Sequence, residues 1–298
     1  MSQPSNSRHG FTVTVFFPYG DPNGVKEIQK FNWSGYGIVI PRATYEAERK
    51  KDFLTTLGAG VYLLVGSDDT PSPKIYIGEG DSVADRLYDH ANHKDFWTHA
   101  VIFTSKDAKL NKAHVQYLES RLIDLAQKAK RSTLDNGNNP TLPSLSDADI
   151  ADSEGFLENI LLCLPILGYP FFDVVDSSQK VSQDFFLGSK SKNILAQGYE
   201  TSGGFVVAKG SRAAKEEEPS MYDNGRMMRQ ALIDKKVLVP DETSYQFTQD
   251  YAFSSPSMAA GVVLGRPANG RIEWKNKDGK TLKMIQEEGL VVKESWLF

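Results

Sequence analysis

Hydrophobic and β-branched residues form short runs along the first half of the chain, and turn-forming residues separate these runs. The runs are FTVTVFF (11–17), GYGIVI (35–40), GVYLLV (60–65), KIYIG (74–78) and THAVIFTS (98–105). Apolar runs of four to eight residues bounded by Gly, Pro, Asp or Ser are typical of β-strands. The first half of the chain is therefore expected to be rich in strands.

Helical patterns alternate with the later strands. SVADRLYDH (82–90) starts with Ser82 at an N-cap position and has Asp85 three residues further on, which is the spacing of a capping box. NKAHVQYLESRLIDLAQKAKR (111–131) carries its apolar residues at helical spacing. These apolar residues are Val115, Leu118, Leu122, Leu125 and Ala129. The order strand, strand, helix, strand, helix predicts a small α+β layer with a three-stranded sheet flanked by helices.

Composition divides the chain into four parts. GFLENILLCLPILG (155–168) is an apolar helix that packs on the α+β layer, and the Ser- and Lys-rich stretch after it is typical of a linker. We therefore predict a β-rich lead-in over residues 1–57, a core with its packing helix over 58–175, a linker over 176–197 and a small mixed domain over 198–298. The predicted fold class is α+β.

Charge and composition exclude several classes of protein. The chain has 298 residues and a formal net charge of -4, so it is not coated in positive charge that would bind nucleic acid indiscriminately. It has no apolar run of membrane-spanning length and begins without a basic-then-apolar leader. Because Cys163 is the single cysteine, no intrachain disulfide can form. We expect a cytoplasmic protein with no membrane partner.

A local basic patch is the one part of the sequence whose charge favours a polyanion. Lys106, Lys109, Lys112 and Lys128 lie in a stretch of few acidic residues that ends near Arg131. The same pattern is typical of a solvated helix surface.

Three side chains could take part in binding or catalysis, judged from their positions in the sequence alone. Arg86 and His90 are four residues apart, so on a helix they share one face and can reach the same ligand, or they form an ordinary surface pair. Glu119 lies at the edge of the apolar stripe, where burial disfavours the ionised carboxylate unless a cation or a hydrogen-bond donor accompanies it. A salt bridge to a core-edge Lys or Arg and a metal ion both satisfy that requirement.

Taken in order, these elements resemble the signature of the GIY-YIG nuclease superfamily. The tripeptides GVY and YIG stand at residues 60–62 and 76–78, with Val61 in the usual Ile position. An Arg-x-x-x-His helix, a later Glu-containing helix and an Asn in a loop follow. The matching residues across 58–140 are Tyr62, Tyr76, Arg86, His90, Glu119 and Asn136.

The resemblance implies a DNA endonuclease that hydrolyses a phosphodiester in one step with one divalent ion. Glu119 would hold Mg²⁺ or Mn²⁺. Arg86 would contact the scissile phosphate. Tyr62 would orient or deprotonate the attacking water with help from His90, since a free phenol is a poor base at neutral pH. Tyr76 would act as a second hydroxyl donor.

Substrate contacts are also implied. Gly78 would let the backbone pass close to the substrate. The Asn of the signature is assigned to Asn136, although Asn138 and Asn139 also fit its spacing. Lys106 and Lys112 of the basic patch are the candidate DNA contacts, and Lys112 fits a plain helix surface as well.

One departure from the family pattern concerns charge. Glu79 and Asp81 place two carboxylates next to the expected phosphate site. Like charges there would weaken DNA binding or recruit an additional ion.

The C-terminal part resembles a small uncharacterised domain found at the end of many bacterial GIY-YIG proteins. The segments SGGFVVAKGS and FSSPSMAAGVVLGRPANGRIEW carry this resemblance. A substrate-binding role is the hypothesis for this domain, with ordinary surface residues as the alternative. The candidate nucleic-acid contacts are Arg212, Arg226, Arg229, Arg266 and Trp274.

Two functions therefore stay open at this stage. One is a metal-dependent DNA endonuclease. The other is a catalytically weak or inactive nucleic-acid-binding or regulatory protein on a GIY-YIG scaffold. A water activator and a metal carboxylate in one sequence favour the endonuclease, because a binding module has no need of both.

Overall fold

Two compact units make up the computed structural model of the chain, Met1–Asp173 and Val174–Phe298. The described residues are 10–67, 72–137, 140–172, 180–189, 193–201 and 203–294. The α+β class expected from the sequence is confirmed, since both units combine a β-sheet with helices.

The first unit alternates strands and helices. Its elements are β1 (Val13–Phe16), β2 (Lys26–Lys30), β3 (Gly35–Pro41), α1 (Arg42–Glu48), α2 (Asp52–Thr55), β4 (Gly60–Gly66), β5 (Lys74–Gly80), α3 (Val83–His93), β6 (Trp97–Ser105), α4 (Lys112–Ala129), β7 (Thr133–Leu134) and α5 (Asp147–Ile166). The strands form one sheet in the order β1-β2-β3-β6-β4-β5-β7. Neighbouring strands are antiparallel except β5 and β7, which are parallel.

The sheet is wider than the sequence predicts. The three expected strands β4, β5 and β6 are present, but β3 pairs with β6 along its whole length, from Gly35 opposite Ser105 to Pro41 opposite His99. The N-terminal strands are therefore part of the same sheet. The physical reason lies in β3, whose residues Gly37 to Ile40 are all buried, as in a strand covered on both faces.

Side chains of the central strands alternate between two apolar layers. One layer packs against α4 and α5, and the other packs against α1 and α3. The first layer includes Val61, Leu63, Ile75, Ile77, Leu118, Leu122 and Ile160. The second layer includes Tyr62, Leu64, Val83, Leu87 and Trp97, with Tyr76 packed against it. Helices α3 and α4 therefore lie on opposite faces of the β4–β5 hairpin.

The second unit is a separate sheet with its own helices. Its elements are β8 (Phe185–Ser189), β9 (Ile194–Thr201), β10 (Gly204–Val207), β11 (Arg212–Ala214), α6 (Asp223–Asp234), β12 (Leu238–Pro240), β13 (Ser244–Phe247), β14 (Tyr251–Phe253), α7 (Pro256–Leu264), α8 (Gly270–Glu273) and α9 (Leu282–Glu294). The sheet order is β12-β13-β11-β9-β10-β14, and β8 pairs with β9.

The predicted linker over residues 176–197 differs from the structure. Its second part is strand: β8 lies within it and β9 begins within it, and the two strands pair in antiparallel fashion with Phe185 opposite Gly198. Phe185 and Leu187 point into the core of the second unit. The Ser and Lys residues around them give the segment a linker-like composition and conceal the inward alternation of its apolar residues.

No helix in the described ranges is both long enough and apolar enough to span a membrane.

Candidate functional site

A tyrosine and a glycine face each other across the β4–β5 hairpin. Tyr62 is directly opposite Gly78, and the tyrosine is fully buried. A Cβ atom placed on Gly78 would lie 2.4 Å from Cζ and 2.5 Å from the hydroxyl of Tyr62. The missing side chain at Gly78 therefore leaves space for the Tyr62 ring to lie across β5. This explains the glycine without a substrate, and the predicted close approach of substrate to its backbone stays a prediction.

Substitution of Gly78 by Ala is expected to destabilise the protein by about 1–3 kcal/mol, because the added methyl group displaces the buried Tyr62 ring. The midpoint of urea unfolding measures this effect. Gly58→Ala is the matched control, since a Cβ at Gly58 meets no atom within 4 Å. Equal midpoints for the two variants would contradict the packing described.

Three aromatic rings meet where α3 crosses the hairpin. The Tyr62 hydroxyl is hydrogen-bonded to Nδ1 of His90 and lies 3.4 Å from the backbone oxygen of Arg86. The Tyr76 ring contacts the His90 ring edge-to-face, with centroids 4.8 Å apart, and its centroid is 6.3 Å from that of Tyr62. The structure thus brings together four of the residues that the sequence singled out.

The protonation of this cluster follows from its burial. Burial raises the pKa of the Tyr62 phenol well above its ordinary value, and it raises the pKa of Tyr76 in the same direction. The pKa of His90 is lowered by burial and then by the positive charges of Arg86 and Lys94. Both phenols are therefore protonated and His90 is neutral at pH 7. A Tyr62 hydroxyl that donates to Nδ1 requires the tautomer of His90 with its proton on Nε2.

Arg86 has an exposed guanidinium group on the same helix face as His90. The base of its side chain packs over Gly80, where a Cβ would lie 2.6 Å from Cγ of Arg86. Among the residues that the structure describes, none accepts a hydrogen bond from this guanidinium or forms an ion pair with it. Its donors are therefore available to an external anion.

Glu119 influences the charges of the cluster but forms no hydrogen bond or ion pair with it among the described residues. Helix α4, which carries it, packs on the face opposite the tyrosines. The Glu119 charge nevertheless raises the pKa of both Tyr62 and Tyr76, while the positive charge of Arg86 lowers the pKa of Glu119. The carboxylate therefore interacts electrostatically with the phenols and the guanidinium, although the helix lies on the opposite face.

Strand β5 extends beyond its short parallel partner at the edge of the sheet. The ladder between β5 and β7 has two register pairs, Lys74 with Thr133 and Ile75 with Leu134. Beyond Ile75, strand β5 runs on to Gly80 along the rim of the sheet.

Glu119 itself is in an unfavourable environment for a charge. Its pKa is raised to about 7 by burial and by repulsion from Glu79, while Lys112 and Arg86 act in the opposite direction. Within the described ranges, the carboxylate of Glu119 forms no ion pair and accepts no hydrogen bond. Of the two partners expected for Glu119, a salt bridge or a metal ion, the described residues provide no salt bridge.

Few carboxylates of the described residues are placed to hold a metal ion near the tyrosines. No cluster of three or more His, Cys, Asp or Glu side chains in the described ranges could enclose a metal ion. Mg²⁺ typically keeps several water ligands and binds one or two carboxylates together with substrate phosphates. Half-buried Glu119, which forms no ion pair with a described residue, could supply one such carboxylate, whereas both oxygens of Glu79 are held by Lys112.

Two lysines of the basic patch, Lys106 and Lys112, line one cavity and have internal partners. The Lys112 ammonium lies 2.8 and 2.9 Å from the two carboxylate oxygens of Glu79, so it neutralises the charge that seemed unfavourable for DNA. Lys106 donates to Gln29 at 2.7 Å and lies over the Tyr36 ring. Both lysines line a cavity of about 540 Å³. In the described residues, no direct contact connects Lys106 with the Tyr62 ring.

Asn136 has a structural partner. Its side-chain oxygen accepts from the backbone N–H of Ile77 at 3.0 Å, and its nitrogen donates to the Ile77 oxygen at 2.7 Å. The amide thus continues the edge of β5 where β7 ends. Its predicted substrate contact is not seen in the free protein, because both polar atoms bond to the backbone. Asn138 and Asn139 lie outside the described residues.

The structure adds an ion cluster that the sequence did not indicate. Asp135 lies 2.6 Å from the Lys94 ammonium and 2.9 Å from that of Lys74. The same Lys94 ammonium lies 4.2 Å from the centroid of the Tyr76 ring. Only the position of Asp135 next to Asn136 could have drawn attention to it, since the pairing with Lys94 depends on the fold.

Two of the residues predicted to contact nucleic acid in the C-terminal domain are buried, so that prediction is wrong for them. Arg229 is 1% exposed, and its guanidinium donates to the backbone oxygens of Ala214 and Val262. Trp274 is fully buried in the core. Arg226 and Arg266 are paired instead with acidic neighbours, 2.8 Å from Glu217 and Glu273 respectively.

Comparison with known proteins identifies one region. No curated protein and no solved structure matches the chain. A family model described as a domain of unknown function (DUF4357) matches residues 186–286, which lie within the second unit. The second unit therefore contains a region similar to a domain to which no activity is assigned.

Proposed function

We propose that the chain is a divalent-metal-dependent DNA endonuclease whose active site is the cluster at the rim of β5. The observation that carries this proposal is the hydrogen-bonded pair of Tyr62 and His90 beside Arg86, whose guanidinium pairs with no described residue. The influence of the Glu119 charge on both phenols supports it. A paired phenol and imidazole, a free guanidinium and a half-buried carboxylate are the parts required to hydrolyse a phosphodiester. The resemblance to GIY-YIG nucleases supports the same assignment.

Tyr62 and His90 would handle the attacking water. The neutral imidazole accepts the phenol proton in a hydrogen bond at Nδ1. A water that reaches the phenol oxygen could pass it a proton as it attacks, while His90 takes up the phenol proton. Tyr76 packs against the His90 ring and helps to hold it in place.

Arg86 would bind the scissile phosphate. Its exposed guanidinium offers several donors in a fixed plane, which matches two phosphate oxygens. Glu119 would hold Mg²⁺ or Mn²⁺ beside that phosphate. When bound, such an ion supplies Lewis-acid stabilisation for the charge that develops on the leaving 3′ oxygen.

The cellular location and the role of the second unit belong to the same proposal. A cytoplasmic location is supported by the single cysteine, which is buried and unpaired. The second unit, which resembles a domain found at the end of many bacterial GIY-YIG proteins, is the candidate for selecting the DNA substrate.

The direct test incubates the protein with supercoiled, linear and branched DNA in the presence of Mg²⁺ or EDTA. Cleavage is expected with Mg²⁺ and is expected to stop with EDTA. Tyr62→Phe is expected to lower the single-turnover rate about a hundredfold, because it removes the hydroxyl that positions the water. If the wild type and Tyr62→Phe bind DNA equally and neither cleaves it, the result would favour a regulatory protein on the same scaffold.

The pH dependence of cleavage tests the role of His90. At saturating Mg²⁺ the rate is expected to fall on the acid side of pH 6.5, the ordinary pKa of histidine, because the pKa of His90 is lowered. This acid limb should be lost in His90→Ala. A limb that shifts with the Mg²⁺ concentration belongs instead to the carboxylate that binds the metal. An unchanged limb in His90→Ala would remove the imidazole from the proposed mechanism.

A further inference from the structure

A second cavity of the first unit is separate from the Tyr62 cluster. It has a volume of about 440 Å³, which is in the range of small-molecule sites. It opens between the loop before β3, the loop between β6 and α4, and the middle of α5. Its lining includes Trp33, Asp107, His114, Ser153, Gly155 and Phe156.

Three residues that line this cavity, Trp33, Ser105 and Ser153, have a buried polar side-chain atom with no hydrogen-bond partner among the described residues. Ser153 is 2% exposed, and none of the described residues forms a hydrogen bond with its buried hydroxyl oxygen. The indole nitrogen of Trp33 is likewise buried and unpaired in the part of the chain that the structure describes. Such atoms are rare in folded proteins. Since an indole N–H can only donate, a ligand that satisfies it must bring a hydrogen-bond acceptor.

Acidic groups surround the entrance. Asp107 and Asp152 both line the cavity, and His114 is paired with Asp149 at 3.3 Å. One ammonium group, that of Lys109, lies 3.7 Å from Asp107. This balance of charge disfavours a phosphate or carboxylate group inside the cavity and favours a ligand with amino donors.

The remaining wall is aromatic and has unfilled space. The rings of Trp33 and Phe156 pack with centroids 5.0 Å apart. A Cβ added to Gly155, in the middle of α5, would meet no atom within 4 Å. The cavity can therefore accept a flat ring with apolar faces.

We propose that this cavity binds an unpaired nucleobase with an exocyclic amino group. Ring acceptors of the base would satisfy Trp33 and Ser153, and the amino group would donate to Asp107 or Asp152. Cytosine and adenine have both kinds of group, whereas thymine lacks the amino group.

The base can come from a free nucleoside or from a DNA strand, and the second source rests on the proposed endonuclease function. The cavity shares Ser105 and Leu110 with the neighbouring cavity that contains Lys106 and Lys112. Lys112 in turn contacts Glu79 beside the proposed active site. A strand that follows this surface from the site could place an unpaired base in the cavity, which is how proteins that act on unpaired bases hold them.

Calorimetric titration of the full chain with cytidine, adenosine and thymidine tests the site without relying on cleavage. Cytidine and adenosine are expected to bind at least about tenfold more tightly than thymidine, because thymidine leaves the entrance carboxylates unpaired. Gly155→Leu, which fills the cavity, and Ser153→Ala are each expected to weaken binding by about tenfold or more. Gly155→Ala is the matched control and should still bind. No binding at millimolar nucleoside, or equal binding by Gly155→Leu, would overturn the proposal.

A second measurement identifies the source of the base. Cleavage is compared between a duplex with one bulged cytosine and the same duplex fully paired. A preference for the bulge that Gly155→Leu abolishes supports a base from the DNA, and nucleoside binding with no such preference supports a free nucleoside. If no DNA is cut while nucleosides still bind and Gly155→Leu prevents binding, the endonuclease proposal fails and the nucleobase site stands.

Discussion

Replacement of Glu119 by Gln is expected to lower Mg²⁺-dependent DNA cleavage by at least about three orders of magnitude. The substitution keeps the size of the side chain and removes the charge that would hold the ion. In the described residues the carboxylate has no protein partner to lose, so the effect should be on metal binding and rate, with the fold retained. Single-turnover cleavage at several Mg²⁺ concentrations measures it.

The same variant is expected to be more stable at alkaline pH. The pKa of Glu119 is raised from 4.5 to about 7, so the folded protein binds this proton more tightly than the unfolded chain does. Stability from this group is therefore greatest below pH 4.5 and is lost as the pH rises through 7. Discounted for partial exposure, Glu119→Gln should raise the free energy of unfolding at pH 8 by about 1 kcal/mol. At pH 4 the two proteins should be equally stable.

Thermal melting with Mg²⁺ separates metal binding from catalysis. At pH 8 the ion should raise the melting temperature of the wild type, because it binds the ionised carboxylate of the folded state. It should leave Glu119→Gln unchanged. Glu158→Gln, at an exposed position of α5, is the matched control and should behave as the wild type. An equal Mg²⁺ response in the wild type and Glu119→Gln would place the ion elsewhere.

Replacement of Arg86 by Ala is expected to reduce cleavage by about 10²- to 10³-fold, since it removes a preorganised donor group for the charge of the transition state. Because no described residue pairs with this guanidinium, the free energy of unfolding should change by less than about 0.5 kcal/mol. Arg86→Lys should recover part of the rate through its charge, but not the planar contact with two oxygens.

Arg49→Ala is the matched control for this experiment. Arg49 also contacts α3, over the Tyr88 ring, but its guanidinium is paired with Glu46 at 2.7 Å. Its loss should leave the cleavage rate within about twofold, as expected of a surface ion pair that contacts no substrate. If Arg49→Ala and Arg86→Ala lower the rate equally, the phosphate contact assigned to Arg86 is wrong.

The sequence was informative where a local pattern determines the structure. Short apolar runs between turn-forming residues predicted the strands that carry Tyr62 and Tyr76, and helical spacing placed Arg86 and His90 on one face. The grouping of Glu119 with them follows from the family resemblance and stays a prediction. The positions of the two tyrosines, Arg86 and His90 are set mainly by the helix or strand that carries each of them and by the pairing of one hairpin.

Features that depend on distant pairing could not be predicted in the same way. The register that joins β3 to β6 sets the width of the sheet, and no local pattern reveals it. Asn136 was assigned to substrate from its spacing, whereas the structure uses its amide to continue the edge of β5. Arg229 is charged and was expected on a surface, but backbone oxygens satisfy it inside the core.

The position of a bound cation and phosphate tests the central claim most directly. Crystals of Tyr62→Phe, which slows cleavage, would be grown with a short DNA duplex and Mn²⁺, and anomalous scattering would locate the ion. The expected result is one Mn²⁺ bound to the Glu119 carboxylate, with a DNA phosphate between it and the Arg86 guanidinium. An ion bound away from Glu119, or a DNA backbone that does not reach the rim of β5, would contradict the account.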